Sequence, residues 1–219
     1  MNFFEICINF IYPMECAFCG RKINEGYTCG KCLNIIEYYH EKVNVCTDKN
    51  VQCDKIISII PYDGFMKEKI LQYKFHGAKY LAPAFAELIA LKFNKHNINC
   101  DLITSVPISD KRLKERGYNQ SDLIAKYLSK FTKKYYKKDI LLKTKNNLRQ
   151  SELNLNERKE NVKDAYSIKN IEIVKDRRIV LVDDIFTTGA TLNECAKVLK
   201  CAEAKEVIGL TVMYGNLEK

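Results

Sequence analysis

The sequence predicts an α/β protein with a mostly parallel sheet and helices on both of its faces, preceded by a small cysteine-rich module. Three observations lead to this fold class. Apolar, strand-like runs alternate with segments of helical apolar spacing along most of the chain. One of these runs, IVLV, is apolar at every position, as expected of a strand that is buried on both faces. Two CxxC pairs lie close together near the amino terminus.

Length and composition exclude several classes of protein. The chain has 219 residues, of which 47% are hydrophobic and 29% are charged, so it indicates neither disorder nor a membrane protein. The initial segment, MNFFEICINFIYP, is too short to span a bilayer and has no basic region or cleavage site. We interpret it as an amphipathic helix that packs on the body of the protein, and we expect no membrane span and a cytoplasmic location.

Four of the ten cysteines form a recognisable metal-binding pattern. Nine residues separate the two CxxC pairs in ECAFCGRKINEGYTCGKC, and two such pairs can converge on one tetrahedral ion. We therefore predict a structural Zn²⁺ site, a zinc ribbon, and we favour it over free or redox-active thiols. The predicted ligands are Cys16, Cys19, Cys29 and Cys32. Two later cysteines, Cys46 and Cys53, stay open as replacement ligands.

The elements follow in order after a polar stretch that we take as the domain boundary. Residues 1–53 hold the predicted amino-terminal helix and the cysteine module, and residues 54–219 form the larger domain. The predicted strands are KIISIIPY, DLITSVP, DILLK, RRIVLV and EVIGLTVMY. The predicted helices are FMKEKILQYKF, LAPAFAELIALKF, SDLIAKYLSKF and LNECAKVLKCA, and Asn119 or Ser121 is the expected cap of the third.

Two adjacent carboxylates, Asp183 and Asp184, follow the most apolar strand, and we refer to them as the acid pair. We expect them to end this strand at the crevice beyond the carboxyl ends of the sheet, where ligands bind in such folds. The TTGAT loop (residues 187–191) comes next and opens a helix, so its amides can hold a phosphate. Vicinal ribose hydroxyls or a divalent cation would explain the acids. The pattern predicts a sugar-phosphate site whose phosphate-binding residues are Thr187, Thr188, Gly189, Ala190 and Thr191.

The stretch VLVDDIFTTGAT resembles the phosphoribosyl pyrophosphate signature of type I phosphoribosyltransferases. Together with the CxxC pairs, LQYKFHG, SVPISDKRLKERGYNQ and RQSELNLNERKENV, it makes nearly the whole chain similar to the ComF family of competence proteins. The resemblance implies a type I phosphoribosyltransferase-like domain after a zinc ribbon, phosphoribosyl pyrophosphate bound with Mg²⁺, and a role in handling transforming single-stranded DNA. It also implies an ATP-driven translocase as a partner.

By the same resemblance, a turn after an earlier strand would hold the pyrophosphate, with nearby cations stabilising it. The residues implied are Ser105, Val106, Pro107, Ile108, Arg112, Arg116 and Lys74. Arg149 lies in a segment that resembles the hood of this fold, a flexible part that closes over the ligand. Asp183 and Asp184 would position the ribose in any catalysed transfer.

The net charge of +9 is concentrated in one part of the chain. Between Asp110 and Lys163 there are 16 Lys and Arg against 7 Asp and Glu, an excess of nine, so this segment carries all of it. Such a segment attracts phosphates, and we predict nucleic-acid binding by Arg149 and by the lysine cluster (Lys133, Lys134, Lys137 and Lys138). A solvated lysine-rich face is the alternative. Of the nearby aromatic residues, Tyr127 and Phe131 are expected to face inward, and Tyr135 and Tyr136 to be exposed.

Two classes of function stay open at this point. The protein is either an enzyme that transfers phosphoribose to an acceptor that the sequence does not identify, or a binding protein that uses the phosphoribosyl site as a sensor or as a grip on nucleic acid. Magnesium-dependent binding of phosphoribosyl pyrophosphate would favour the enzyme or sensor. A steep loss of affinity with salt would favour DNA binding.

Overall fold

The computed structural model describes residues 14–38, 52–144 and 162–215. The helices are α1 (Gly30–Tyr38), α2 (Gly64–Phe75), α3 (Leu81–Lys95), α4 (Asp110–Arg116), α5 (Gln120–Thr132) and α6 (Ala190–Cys201). The strands are β1 (Lys55–Pro61), β2 (Leu102–Ser105), β3 (Leu141–Lys143), β4 (Tyr166–Ile168), β5 (Arg178–Phe186) and β6 (Glu206–Tyr214). The predicted amino-terminal helix, Cys46 and Arg149 lie outside the described residues. None of the described helices is long and apolar enough to cross a membrane.

The main sheet has four parallel strands in the order β1-β6-β5-β2, which confirms the predicted parallel sheet. Within it, β5 and β6 are the two central strands. Their long apolar runs fit this position, since neighbouring strands and helices bury most of their residues. The predicted strand DILLK does form, as β3, but it pairs antiparallel with β4 in a separate two-stranded sheet. In the chain these two strands flank the segment of Arg149 that was predicted to be a hood, and from here on we call the β3–β4 sheet the hood.

Alternate residues of the central strands feed two separate hydrophobic cores. In β5, Val180 and Val182 point toward the helices α2, α3 and α5, whereas Ile179 and Leu181 point toward α6 and the hood. The sheet is therefore covered by helices on both faces, as predicted. Asn119 caps α5 by accepting a hydrogen bond from the Ser121 amide at 3.1 Å, so the first of the two proposed caps is the right one.

The cysteine module packs against the main domain through aromatic rings. The Phe18 ring is buried, and its centroid lies 5.6 Å from that of Phe85 in α3 and 6.3 Å from that of Phe65 in α2. Tyr27 pairs with Phe131 at 6.0 Å, and its amide donates to Glu87. The expectation that Phe131 faces inward is therefore wrong, since the ring lies on the surface and meets the module instead.

Candidate functional site

The acid pair lies in β5 at the carboxyl edge of the sheet. On one side the ladder ends, because Val182 is the last residue of β5 that pairs with β2. On the other side β5 continues beside β6 to Phe186, so Asp183 and Asp184 lie inside the strand rather than at its end. The expectation that the acids end the strand is corrected by this register.

Asp183 is held by two hydrogen bonds to a single carboxylate oxygen. The Ser121 hydroxyl donates to Asp183 Oδ1 at 2.8 Å, and the Asp184 amide donates to the same atom at 2.9 Å. Burial, together with the negative charge of Asp184, raises the pKa of Asp183 to about 7, although these hydrogen bonds and Lys74 act in the opposite direction. A cation bound here would favour the ionised form of Asp183.

Asp184 has a different partner, the ammonium group of Lys74 near the end of α2. The Lys74 Nζ lies 2.9 Å from Asp184 Oδ1, with 18% of the Lys74 side chain and 11% of the Asp184 side chain exposed. Lys74 was predicted to bind pyrophosphate. The structure brings it to the acid pair, where it offsets one of the two negative charges. An arriving phosphate or cation would have to compete with this ion pair.

The TTGAT loop connects the acid pair to α6 and lines an open depression together with Asp183 and Phe186. Gly189 adopts a φ of 72° and is the N-cap of α6, where side chains are disfavoured. A Cβ at this position would lie 2.7 Å from Cε2 of the Phe186 ring. The Ala190 amide already donates to the Thr188 hydroxyl at 3.2 Å, which shapes the turn. The loop is a helix amino terminus directly beside two carboxylates.

The segment from Ser105 to Ser109 joins β2 to α4 beside the acid pair. The Val106 amide donates to the Val182 carbonyl, and the Val106 carbonyl accepts from the Asn119 side chain at 2.9 Å. Ser105 donates to Asp122 at 3.3 Å. Both backbone groups of Val106 are thus used in the fold. The pyrophosphate role predicted for Ser105, Val106, Pro107 and Ile108 stays a prediction.

Arg112 and Arg116 lie one turn apart on α4. The Arg116 Nη1 donates to Gln120 at 3.0 Å, and the guanidinium Cζ lies 5.1 Å from the centroid of the Phe75 ring. Burial lowers the pKa of Arg116, and the nearby Asp184 acts against this effect. Arg116 is therefore a cation held near the acid pair, and its predicted contact with pyrophosphate stays a prediction.

The hood adds two residues that the sequence did not single out, Lys143 in β3 and Tyr166 in β4. They pair across the hood, and Lys143 Nζ lies 5.3 Å from the centroid of the Tyr166 ring. Burial lowers the pKa of Lys143; Arg112 adds to the effect and Asp183 opposes it. The hood thus brings a desolvated ammonium group toward the acid pair. Only the tertiary fold identifies it, since in the sequence it is one of many lysines.

The four predicted metal ligands converge. The sulfur atoms of Cys16, Cys19, Cys29 and Cys32 all lie within 4.8 Å of one another. The Cys29 amide donates to the Cys16 sulfur at 3.3 Å, a contact that supports a thiolate. Although burial by itself raises it, backbone amide bonds from Cys29, Cys19 and Phe18 lower the pKa of Cys16 to about 7. A set of four soft sulfur donors fits a tetrahedral Zn²⁺, which would stabilise this small module.

The remaining described cysteines are not part of this group. Cys53 is buried and its thiol contacts the Leu192 carbonyl at 3.8 Å, so it packs under α6 in the main domain. Cys100 and Cys195 are buried, whereas Cys201 is exposed. The four-sulfur site is complete without Cys53.

The lysine cluster lies beside the free edge of β2. The Ile103 amide donates to the Tyr135 carbonyl, and the Lys137 amide donates to the Ile103 carbonyl, so the segment runs parallel to β2. Tyr135 is 54% exposed, as expected. Tyr136 points inward and donates to Asp122, so its predicted exposure is wrong. Lys133, Lys137 and Lys138 are exposed, and Lys134 is partly buried.

Known proteins are similar to this chain over its carboxyl-terminal part and, in several cases, over most of its length. A model of the phosphoribosyl transferase domain family matches residues 121–219, which include most of α5, β4, the acid pair and the TTGAT loop. Competence protein F of Haemophilus influenzae is 29% identical over 94% of this chain and 96% of its own length. DNA utilization protein YhgH of Escherichia coli strain K12 is 28% identical over 84% of this chain and 83% of its own length.

A third relative, Competence protein ComFC of Bacillus subtilis, is 27% identical over 90% of this chain and 77% of its own length. The similarity to competence protein F includes the cysteine module as well as the domain that carries the acid pair, since it extends over 94% of the chain. Together with the parallel sheet and the acid pair at its carboxyl edge, these similarities show that this chain is related over most of its length to competence protein F, YhgH and ComFC and has a phosphoribosyltransferase-type fold.

Proposed function

We propose that this protein binds phosphoribosyl pyrophosphate, or a closely related ribose phosphate, with Mg²⁺ and acts in the uptake and handling of transforming DNA. The phosphoribosyl transferase domain and the names of its competence and DNA-utilization relatives support this proposal. A cytoplasmic location and an ATP-driven translocase as a partner are part of the same proposal.

The observation that carries the proposal is the acid pair directly followed by the TTGAT loop at the amino end of α6. The loop offers backbone amides and the start of a helix to a phosphate. Asp183 and Asp184 offer oxygen atoms to ribose hydroxyls or to Mg²⁺. A phosphate alone would account for the TTGAT loop but not for the acid pair beside it. A ligand that carries both a phosphate and hydroxyl groups, such as a ribose phosphate, accounts for both.

Cations around the acid pair would balance the charge of a pyrophosphate. Lys74 lies near the end of α2, Arg112 and Arg116 lie on α4, and Lys143 lies in the hood, where the charge of Arg112 acts on it. Guanidinium groups bind phosphates bidentately, and ammonium groups bind them as point charges. Binding of the ligand would free Asp184 from Lys74, after which Lys74 would be available to a phosphate oxygen.

The alternative function is catalysis, in which the protein not only binds phosphoribosyl pyrophosphate but also transfers its phosphoribosyl group to an acceptor. The same cations and Mg²⁺ would then stabilise the leaving pyrophosphate, and the acid pair would hold the ribose ring in place. The acceptor is what separates an enzyme from a binding protein.

Single-stranded DNA is the second ligand that we propose, because a specific feature favours it. The lysine cluster is fixed along β2, with the exposed Tyr135 between its members, and the chain runs from there toward the site edge of the sheet. A basic surface with an exposed ring is suited to a sugar-phosphate strand and its bases.

The test is calorimetric titration with phosphoribosyl pyrophosphate, with and without magnesium, repeated with a single-stranded oligonucleotide present. We expect saturable, magnesium-dependent binding that is lost when Asp183 and Asp184 are both changed to Ala. The matched control is Asp101→Ala, which removes a carboxylate at the opposite end of β2, where it pairs with Arg178 at 2.6 Å. Binding that survives the double change, or that is absent from the unchanged protein, would refute the assignment. A shift in affinity caused by the oligonucleotide measures the coupling between the two ligands.

A further inference from the structure

An exposed aromatic ring follows Lys74, the residue that contacts the acid pair, and has no role in the site described so far. Phe75 is the last residue of α2 and is 58% exposed, although its neighbour Lys74 contacts Asp184 and Tyr73 is fully buried. Successive residues on a helix point about 100° apart, so Tyr73 can point into the core, Lys74 toward the acid pair and Phe75 toward the solvent. A large apolar side chain with this exposure, beside a ligand site, calls for an explanation.

The backbone under Phe75 is held rigidly. The Tyr73 hydroxyl donates to the Gln120 carbonyl at 2.8 Å, and the Tyr118 hydroxyl donates to the Tyr73 carbonyl. The Gln120 side chain also donates to the Lys74 carbonyl at 3.4 Å. The end of α2 is thus tied to the start of α5, and the Phe75 ring projects from a fixed base.

A guanidinium group lies over the Phe75 ring. The Arg116 Cζ lies 5.1 Å from the ring centroid, and Gln120 fixes the guanidinium through Nη1 at 3.0 Å. Ring and guanidinium form a cation–π pair, which we call the Phe75 platform, and more than half of Phe75 stays open to solvent. The surroundings are cationic, because Lys74 lies beside the platform and Lys79 lies 5.1 Å from the Tyr118 ring centroid.

We propose that the Phe75 platform stacks on a nucleobase, next to the phosphoribosyl-binding site. This inference rests on the proposed function, since it names the class of compound that would lie beside the bound ribose phosphate. A flat, half-exposed ring with a guanidinium over one face and an ammonium group nearby favours a ligand that combines a planar π system with negative charge, which is what a nucleotide unit offers. It does not suit an apolar protein partner, which would leave the charged groups without partners.

The base has two possible sources, a free nucleoside or a residue of single-stranded DNA, and a fluorescent base distinguishes them. 2-Aminopurine deoxyriboside and an oligothymidylate that contains one 2-aminopurine are titrated separately, because stacking on an aromatic ring quenches this fluorophore. We expect Phe75→Leu to weaken the quenched complex by about 5- to 140-fold, the range of a stacked base. Tyr80→Leu is the matched control, since Tyr80 is equally exposed at 58% and lies in the same segment.

Phosphoribosyl pyrophosphate is titrated into the same variants, so that the two proposals are judged separately. If Phe75→Leu binds phosphoribosyl pyrophosphate as the unchanged protein does, the variant is folded. If phosphoribosyl pyrophosphate does not bind the unchanged protein, the proposed function is refuted but the platform is not. Quenching that is absent with both probes, that survives Phe75→Leu, or that falls equally in Tyr80→Leu overturns the platform. Quenching with the nucleoside supports a small acceptor, whereas quenching only in the oligonucleotide supports a base of a DNA strand.

Discussion

Replacing Asp183 by Asn should stabilise the protein while abolishing ligand binding. Asn keeps the shape of the side chain, and its oxygen can still accept the hydrogen bonds that Asp183 Oδ1 receives from Ser121 at 2.8 Å and from the Asp184 amide at 2.9 Å. It removes the charge that the fold has to bury beside a second carboxylate. A residue that lowers the stability of the fold in this way is expected where ligand binding, rather than folding, requires it.

The size of the effect follows from the pKa of Asp183. Folding raises this pKa from 3.8 to about 7, mainly through burial and then through the charge of Asp184. The folded state therefore binds more protons than the unfolded state between these values, and the stability of the unchanged protein falls as the pH rises through this window. The full cost is at most ~4 kcal/mol and is reached above pH 7.

Asn avoids this cost, so the stabilising effect should grow with pH. We expect the free energy of unfolding of Asp183→Asn to exceed that of the unchanged protein by an amount that rises by about 2 kcal/mol between pH 5.5 and pH 8. Above pH 8 the difference should be constant, because both forms of the protein then have fixed charge at this site.

Urea unfolding of the zinc-loaded protein in magnesium-free buffer, followed at several pH values, measures this difference. Asp101→Asn is a control of opposite sign, since Arg178 lowers the pKa of Asp101 through two hydrogen bonds to its side chain, so Asp101 stabilises the fold at neutral pH and the variant should be less stable there. A difference for Asp183→Asn that does not change with pH, or a loss of stability at pH 8, would refute the reasoning.

Three further predictions concern the metal, the loop and the basic edge. Cys16→Ser should release Zn²⁺ and lower the unfolding midpoint, and metal analysis after gel filtration measures this against the exposed Cys201→Ser; full retention of zinc would contradict it. Gly189→Ala should cost ~1–3 kcal/mol in urea unfolding and weaken phosphoribosyl pyrophosphate binding, because φ is 72° and the added methyl would meet Phe186 at 2.7 Å; unaltered affinity would count against the loop. Neutralising the lysine cluster should reduce the salt slope of single-stranded DNA binding by up to ~3, at ~0.7 per phosphate contact, and an unchanged slope would make it a solvated face.

Much of this fold could be predicted from the sequence because its signals are local. The apolar run of β5 predicted a strand covered on both faces, and the two hydrophobic cores that its alternate residues enter confirm it. The two CxxC pairs predicted the sulfur cluster, since two cysteines with two residues between them lie on one short turn and can bind the same ion whatever the rest of the chain does. The hood strand β3 was predicted as a strand but not its antiparallel partner, because three residues of β4 are too few to give a periodic signal.

By itself, the sequence determined the chemistry available at the site: two adjacent carboxylates, a glycine-containing loop at a helix start, and a local excess of positive charge. Only the tertiary structure decided which groups meet. In the folded protein Lys74 forms an ion pair with Asp184, and the Ser121 hydroxyl donates to Asp183. The hood places Lys143 where the charge of Asp183 acts on it, and Phe75 is exposed beneath the Arg116 guanidinium. The physical reason is that these contacts join residues far apart in the chain, whose approach is set by strand order and helix packing rather than by local pattern.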